Sequence, residues 1–450
     1  MQKRMLVLMI AAGFALAGCG GGGGGSSPST ATTGSSTGSA GGTSAGAGSG
    51  SGSGGTTTGS SGSGSSGSGG SSGSGGSGSG ASATETVLYS FGATGSGDAA
   101  EPLGRLVIDS AGDLYGVGNI GGQNNTGAVF KLTPAGSESV LHSFASATAV
   151  ASTDGVRPNG TLWLDAQGNL YGTTPNGGAA TNGTVFEITP SGTESVFEDF
   201  SNPNDGTAPV GGVIQDAAGN FDGTTFFGGS NGEGVVYSLA PGGQLNVLHV
   251  FAGQPSDGNQ SAGTLLSDSA GDLYGVTIAG GSDDQGTVYK LTPGGIETVL
   301  HSFAGAPGDG AAPDGGLIMD ASGNLYGTTQ SGGANDTGVV YEISATGHES
   351  VLYSFGPAGT SDGINPVGRL VIDASGNLFG VTAYGGGLSN SGTVFELTPS
   401  GRETVMHAFG AAGDGIEPNG GLIADAAGKL YGVTKSGGAN NTGTVFEISP

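Results

Sequence analysis

The chain has 450 residues, of which 101 are glycine, and its 36 acidic against 10 basic side chains give a formal net charge of -26. Glycine is far more frequent than in ordinary globular proteins, so segments of different kinds must share the length. A chain this acidic excludes nucleic acid as a partner, because binding to a phosphate backbone requires a basic surface.

The first 18 residues predict an export signal. Two basic residues precede an apolar run from Met5 to Leu16, which is too short to span a bilayer as a stable helix. The run ends in LAGC, which resembles the lipobox of bacterial lipoproteins, whose cysteine is lipidated and becomes the first mature residue. Cys19 is the only cysteine, so it is the expected lipid-attachment site and no internal disulfide is expected. Gly20 follows it, and the resemblance then favours the outer membrane or the cell surface.

Residues 19–84 are predicted to be the lipidated cysteine and a disordered tether. From Gly20 to Thr84 the chain contains only Gly, Ser, Thr, Ala and one proline, without a charge. Such a segment cannot bury enough apolar surface to offset the entropy lost on ordering. We therefore expect the remainder, residues 85–450, to be presented at a distance from a membrane.

Residues 85–450 form a tandem array of seven copies, here called repeats 1 to 7. The landmark is a tetrapeptide such as DLYG or NLYG, whose last residue recurs every 51 to 56 positions. The seven landmark glycines are Gly116, Gly172, Gly223, Gly275, Gly327, Gly380 and Gly432. A fixed period near fifty residues is the signature of a repeat architecture.

Each repeat contains four short apolar runs, which predict four strands. In repeat 5 they read GGLIMD, NLYGTT, GVVYEIS and ESVLYSF. They are rich in β-branched and aromatic residues, and tight glycine-containing turns join the first to the second and the third to the fourth. Nearly continuous apolar runs indicate sheets that are covered on both faces, as the blades of a propeller are.

The order of the strands at the two ends of the array predicts how it closes. The array begins with a fourth-strand sequence, ETVLYSF at Glu85, and stops with a third-strand sequence, GTVFEISP, that ends at Pro450. The prediction is an all-β, seven-bladed β-propeller of four-stranded blades, closed where the N-terminal strand joins the last blade. A β-solenoid is the alternative, because repeats also stack linearly.

The repeating unit LYGTTxxGGxxxxGTVFxLTPxGxETVLHSF resembles that of the GloVer proteins, also described as choice-of-anchor tandem repeat proteins. The resemblance covers residues 85–450 and implies attachment to the cell envelope, but no catalytic residues. Asp222, in place of an aromatic residue in repeat 3, and Ser261, in place of a proline in repeat 4, depart from the pattern.

A DGxxP motif before the first strands supplies the candidate ligand residues. On a propeller these loops share one face with the second-to-third strand loops, which are rich in Gly, Asn and Asp. Oxygen ligands suit calcium and sugar hydroxyls, whereas an aspartate bonded to its own loop explains the motif structurally; both interpretations stay open. The candidates are Asp154, Asp205, Asp309, Asp362 and Asp414.

No catalytic or cofactor-binding residues are predicted. Four histidines occupy equivalent places in outer strands, one to a repeat, where they are not expected to converge on one ion. A second aspartate, at the end of each first strand, is expected to bond its own turn. Arg105 and Arg369 stand at matching first-strand starts, where they either bind an anion in the channel or neutralise nearby carboxylates; the second interpretation is preferred.

The function expected from the sequence is an envelope-anchored, non-catalytic propeller that presents a binding surface to a glycan or an envelope protein. An enzyme site requires unlike residues brought together, and the repeats are close copies. The alternatives are an extracellular polysaccharide hydrolase or lyase on the same scaffold, and a passive surface-layer protein.

Overall fold

The computed structural model describes residues 83–92, 97–145 and 154–449. The predicted signal peptide, Cys19 and the tether up to residue 82 lie outside these residues. The first strand begins at Thr84, one residue before the expected boundary of the array. Within the described ranges, no helix has the length and apolar character needed to cross a membrane.

The described chain consists of short strands and two single-turn helices. The strands of the N-terminal segment and of repeats 1 to 3 are β1 (Thr84–Ser90), β2 (Ala99–Ile108), β3 (Leu114–Gly121), β4 (Ala128–Leu132), β5 (Glu138–Ser143), β6 (Gly155–Val156), β7 (Trp163–Leu164), β8 (Leu170–Thr174), β9 (Asn176–Gly177), β10 (Thr184–Ile188), β11 (Glu194–Asp199), β12 (Ile214–Gln215), β13 (Phe221–Thr225), β14 (Val235–Leu239) and β15 (Leu245–Val250). Those of repeats 4 to 7 are β16 (Gly258–Ser267), β17 (Leu273–Gly280), β18 (Thr287–Leu291), β19 (Glu297–Ser302), β20 (Gly310–Ala311), β21 (Ile318–Met319), β22 (Leu325–Thr329), β23 (Ser331–Gly332), β24 (Val339–Ile343), β25 (Glu349–Ser354), β26 (Gly363–Ile372), β27 (Leu378–Gly385), β28 (Thr393–Leu397), β29 (Glu403–Ala408), β30 (Gly415–Ala424), β31 (Leu430–Gly437) and β32 (Thr444–Ser449). The 3-10 helices are η1 (Pro203–Asp205) and η2 (Gly387–Ser389).

The strands of each repeat pair antiparallel with their neighbours in the repeat. Repeats 1 to 5 each contribute one four-stranded sheet, and an eight-stranded sheet combines β26 to β29 with β30 to β32 and β1. One parallel pair, Arg369 with Gly421, joins the two halves of that larger sheet. The N-terminal strand β1 pairs with β32, from Thr84 opposite Ser449 to Ser90 opposite Thr444. The fold is therefore all-β and propeller-like, as predicted.

The landmark glycine has a packing function. In repeat 1, a β-carbon on Gly116 would lie 2.6 Å from Cζ of Phe130 on the third strand and 2.8 Å from a methyl group of Leu106 on the first. Real β-carbons do not approach other atoms that closely, so only glycine leaves room for the ring beneath the second strand. The glycine of the LYG motif is thus required by the packing of the third-strand aromatic ring across its own sheet.

The last threonine of the LYGTT motif pairs with the threonine of the GTVF motif. Thr277 Oγ1 lies 2.8 Å from Thr287 Oγ1 on the next strand, and both side chains are fully buried. The same pair recurs as Thr174 with Thr184, Thr382 with Thr393 and Thr434 with Thr444. Buried hydroxyl groups require partners, and these strands supply them to each other.

Aromatic pairs connect successive repeats. The phenylalanine that follows each fourth strand meets the third-strand aromatic ring of the next repeat edge-on, with ring centroids 5.0 to 5.3 Å apart. The pairs are Phe144–Phe186, Phe200–Tyr237, Phe251–Tyr289, Phe303–Tyr341, Phe355–Phe395, Phe409–Phe446 and Phe91–Phe130. The last pair joins the N-terminal strand to repeat 1.

Glycines in the middle of the long first strands, and just before the short ones, bring adjacent repeats into backbone contact. A β-carbon on Gly104 would lie 2.8 Å from the carbonyl oxygen of Gly160. The series of such contacts is Gly104 to Gly160, Gly160 to Gly212, Gly211 to Gly263, Gly263 to Gly316, Gly315 to Gly368, Gly368 to Gly421, and Gly420 to Gly104. The first strands therefore pack side by side, and the side chains that follow these glycines share one space.

Candidate functional site

The DGxxP aspartates bind their own loops and the preceding fourth strand. Asp309 Oδ2 lies 3.1 Å from His301 Nε2 and accepts a hydrogen bond from the N–H of Ala304, while Oδ1 accepts one from Gly310 N–H. Burial alone raises the pKa of Asp309, but the bonds from His301 and Ala304 outweigh that effect and hold the pKa below its usual value. The carboxylate thus fixes the turn between two repeats.

This arrangement recurs in five other repeats. The remaining pairs of a fourth-strand side chain with a loop aspartate are His142–Asp154, His249–Asp257, His407–Asp414, Tyr89–Asp98 and Tyr353–Asp362, at 2.9 to 3.4 Å. The candidates Asp154, Asp309, Asp362 and Asp414 all occur in this set. Asp414 is 7% exposed, so its carboxylate faces the protein more than the solvent.

Asp205 differs from the other four candidates. It ends the helix η1, where its Oδ2 accepts a hydrogen bond from the Asn202 side chain at 3.0 Å. The fourth-strand position that carries His or Tyr elsewhere is Glu198 here, and burial followed by the charge of Asp205 raises the pKa of Glu198 to about 7. The structure therefore brings four of the five candidates into equivalent environments and places Asp205 in another.

A glutamate from the next repeat completes what we call an edge group: the fourth-strand His or Tyr, the loop aspartate and this glutamate. The six glutamates are Glu85, Glu138, Glu194, Glu297, Glu349 and Glu403, and in each a buried Oε1 has no hydrogen-bond partner. Burial raises the pKa of each glutamate, and the neighbouring aspartate raises it further. In repeat 3 the equivalent residue is Leu245, beside the exceptional Glu198. The two departures from the pattern occur together.

Four edge groups contain residues that could hold a metal ion. In the groups of His142, His249, His301 and His407, a histidine nitrogen and two carboxylate oxygens lie within 4.8 Å of one another. However, Tyr89 and Tyr353 occupy the histidine position in two other groups and keep the same bond to aspartate, at 2.9 Å. A hydrogen-bond donor is what all six groups share, so their geometry is explained without a metal.

The second series of aspartates confirms the predicted turn bonds. Asp109 Oδ1 accepts hydrogen bonds from the N–H groups of Ala111 and Asp113, and its Oδ2 accepts one from Tyr115 at 2.9 Å. Asp165, Asp216, Asp268, Asp320, Asp373 and Asp425 accept the same two backbone bonds in their turns.

The first strands line a half-open cavity of about 360 Å³, which we call the central cavity. Its lining comes from six repeats and is mostly apolar. The lining residues are Arg105, Leu106, Val107, Ile108, Thr161, Leu162, Trp163, Leu164, Val213, Ile214, Thr264, Arg369, Ile423 and Ala424. They follow the contacting glycines in sequence, so the cavity lies toward the tight turns that end the first strands, and not toward the long loops.

One position of the repeat determines what the cavity contains. Directly after the contacting glycine, repeats 1 to 7 carry in order Arg105, Thr161, Gly212, Thr264, Gly316, Arg369 and Gly421. Both arginines lie next to a glycine of the preceding repeat: Arg105 Nε donates to the carbonyl of Leu422, beside Gly421, and Arg369 Cδ lies 3.6 Å from where a β-carbon of Gly316 would be. Each arginine side chain therefore lies against the backbone of the preceding repeat.

The two guanidinium groups have no acidic partner. Among the described residues, neither arginine forms an ion pair, and Arg369 Nε is buried without a hydrogen bond. Burial and then the charge of Arg369 lower the pKa of Arg105 to about 10, which still leaves it protonated at neutral pH. The preferred expectation, that these arginines neutralise carboxylates, is therefore wrong. The cavity holds two cations in a chain of net negative charge.

Part of this site can be recognised from the sequence. Arg105 and Arg369 stand out as matching exceptions among few basic residues, but Trp163, Thr161 and Thr264 look like ordinary strand residues. The edge groups were missed, because each combines side chains from two repeats. Repeat 2 has Glu198 at the position of the usual His or Tyr, and repeat 3 has Leu245 at the position of the usual Glu. This joint replacement is the signal that could have revealed the edge groups.

A model of the Gloeobacter/Verrucomicrobia repeat matches residues 157–371 and 210–446, which together span more than half of the chain. No curated protein matches the chain significantly.

Solved structures are similar in fold and distant in sequence. Virginiamycin B lyase from Staphylococcus aureus superposes with a TM-score of 0.53 at 14% identity, over 82% of this chain and 99% of that one. The extracellular domain of a hybrid two-component system from B. thetaiotaomicron gives a TM-score of 0.51 at 12% identity, over 78% of this chain and 40% of that one. At these identities the likeness concerns the fold alone.

Proposed function

This chain belongs to the Gloeobacter/Verrucomicrobia repeat family, and on that premise we propose that it is a non-catalytic binding module, a seven-bladed β-propeller that takes its ligand into the central cavity. Seven blades are supported by two series of contacts that each return to their starting repeat. One is the series of aromatic pairs that ends with Phe91 and Phe130. The other is the series of glycine contacts that ends with Gly420 and Gly104.

The observation that carries the binding role is the composition of the cavity wall. Repeated residues such as the edge groups are occupied in holding the repeats together, whereas the cavity is where the repeats differ. Its polar lining consists of two arginines and two threonines, with no carboxylate, histidine, cysteine or lysine among the lining residues. General acid–base and nucleophilic catalysis require such groups, so this wall supports binding over hydrolysis or elimination.

The proposal includes the cellular location predicted from the sequence. The lipidated Cys19 anchors the chain to the outer membrane or cell surface, and the uncharged tether presents the propeller to glycans or envelope proteins. A Cys19→Ala chain is then recovered in the soluble fraction, and its recovery in the membrane fraction would contradict the anchor.

The binding role is tested by the melting temperature of the full chain against polysaccharide fragments, peptidoglycan fragments and calcium. A ligand that binds only the folded state raises the melting temperature in a dose-dependent way. We expect at least one glycan fragment to do so. We expect Ala424→Phe to abolish the rise, because Ala424 is exposed and lines the cavity, so that a phenylalanine ring at this position occupies the cavity.

Ser267→Phe is the matched control. Ser267 is the equivalent, exposed last residue of the first strand in repeat 4 and does not line the cavity. It should keep the ligand response. A response that Ala424→Phe also keeps would place the ligand elsewhere, for example on the long loops with Asp154 and Asp309, and a flat panel would contradict a binding role for these ligand classes.

A further inference from the structure

The central cavity contains more positive charge than its wall compensates. Arg105 and Arg369 both line it, and no lining residue is acidic. Both are only partly exposed, and each loses hydration there without gaining an anionic partner. An isolated charge that is partly removed from water costs free energy unless an opposite charge approaches it.

The hydrogen-bonding capacity of the two guanidinium groups is also largely unused. A guanidinium carries five N–H donors in a planar fork. Arg105 Nε donates to Leu422 at 2.6 Å, and neither side chain makes another hydrogen bond to a described residue. The terminal nitrogens of both arginines are therefore available to a ligand with several acceptor oxygens.

We infer that Arg105 and Arg369 form an anion subsite in the central cavity, which binds the carboxylate, phosphate or sulfate group of a small molecule or of a chain end. This inference rests on the proposed binding role and specifies the chemical class of the ligand. Bidentate pairing with oxyanions is the interaction that arginine forms best. An oxyanion bound to both guanidinium groups also compensates the repulsion between their two positive charges.

The other lining residues set limits on the remainder of the ligand. Trp163, Ile214 and Ile423 give the wall an apolar surface, against which a sugar ring or a short aliphatic group can lie. A cavity of about 360 Å³ accommodates one small molecule or one terminal residue of a polymer. The predicted ligand is thus a single acidic unit, such as a uronic acid or a sugar phosphate.

Trp163 allows this to be measured directly, because it is the only tryptophan in the chain and it lines the cavity. The experiment compares quenching of its fluorescence by iodide, caesium and acrylamide in the full chain and in the Arg105→Gln/Arg369→Gln double variant. We expect the iodide quenching constant to fall by about threefold or more in the double variant, because positively charged clefts concentrate anions. Acrylamide quenching, which reports access alone, should not change.

The same fluorescence signal then distinguishes the sources of the anionic group. Glucuronate and glucose 6-phosphate present a carboxylate and a phosphate on similar rings, and glucose is the neutral control. Saturable binding of either anion that the double variant loses supports the subsite and tells which oxyanion it prefers. A response to glucose of equal strength, or an unchanged iodide constant in the double variant, overturns the anion subsite.

Two further variants keep the test decisive. Arg402→Gln removes an exposed arginine in a tight turn outside the cavity and should keep the wild-type iodide constant. If the double variant does not fold, Arg369→Gln alone replaces it, since the Arg369 side chain makes no hydrogen bond to a described residue. A lower iodide quenching constant in the double variant, together with a ligand-induced rise in melting temperature that Ala424→Phe abolishes, supports both proposals. An unchanged iodide quenching constant, with that rise still abolished by Ala424→Phe, refutes only the anion subsite.

Discussion

Asp222 is a buried carboxyl group in a position that six repeats fill with tyrosine or phenylalanine. It is 4% exposed, and burial raises its pKa to about 6, an effect that a hydrogen bond with Ser238 reduces and the charge of Asp216 increases. A carboxyl group with a raised folded-state pKa stabilises the fold below its ordinary pKa, and this contribution is lost as the pH rises through the folded value. Asp222 therefore weakens repeat 3 at neutral pH.

We expect Asp222→Tyr to increase the free energy of unfolding at about pH 8 by about 2 kcal/mol, and by less at about pH 5. The tyrosine restores the residue that bonds the turn aspartate in other repeats, as Tyr115 does with Asp109. Urea unfolding at the two pH values measures the difference. Asp222→Asn keeps the size and removes the charge, so it should lose the pH dependence without the packing gain. A pH dependence that persists in both variants would refute this assignment.

At the scale of the strands, the edge groups join six of the seven fourth strands to the next one. A histidine or tyrosine on one strand, an aspartate in the connecting loop and a glutamate on the next fourth strand come together six times. Burial and the adjacent aspartate raise the pKa of Glu194 and of Glu403 to about 7, although His142 opposes the shift at Glu194. Both are protonated near pH 5, where the unfolded chain has begun to ionise them. They stabilise the fold at low pH and lose this effect as the pH rises through about 7.

Replacing these glutamates should therefore flatten the pH dependence of stability. We expect the double variant Glu194→Gln/Glu403→Gln to gain about 1 kcal/mol at about pH 8 relative to pH 5, after allowance for the partial exposure of both side chains. Thermal melts across this range provide the measurement. Glu396→Gln, a glutamate outside the edge groups, is the control and should follow the wild-type profile. Parallel profiles for all three chains would show that the edge-group glutamates do not titrate here.

At the scale of the whole molecule, the N-terminal strand determines whether the array closes. Phe91 is fully buried, and its ring centroid lies 5.0 Å from that of Phe130 in repeat 1, while its strand pairs with β32 of repeat 7. Phe355 occupies the equivalent place between repeats 5 and 6, also fully buried. If the ring is closed in solution, the two contacts are equivalent.

Phe91→Ala and Phe355→Ala should then destabilise the full chain by similar amounts, about 3 to 5 kcal/mol each, because both remove a large ring from a packed interface. Denaturant unfolding provides the comparison. An open array would lose much less at Phe91, since a terminal strand frays independently of the remainder. A cost at Phe91 below about half of that at Phe355 would therefore argue against closure.

The sequence predicted most of the architecture from particular residues. The spacing of the landmark glycines indicated the repeats, and the fourth-strand sequence at Glu85 predicted the pairing of β1 with β32. The aspartates at the ends of the first strands were correctly assigned to turn bonds, since those partners lie within four residues. The cavity was not predictable to the same degree, because its wall combines one to four residues from each of six repeats and its volume depends on how close the first strands approach.

What the sequence by itself determined is therefore whatever depends on near neighbours: strand periodicity, turn chemistry, the number of copies and the order of elements at the two ends. The tertiary structure alone decided which distant side chains meet. It placed six of the seven loop aspartates against a histidine or tyrosine and the glutamate of the next repeat, and it left Arg105 and Arg369 together without an acidic partner. The physical reason is that charge compensation and burial depend on distances across adjacent repeats, and the spacing of residues along the chain does not contain those distances.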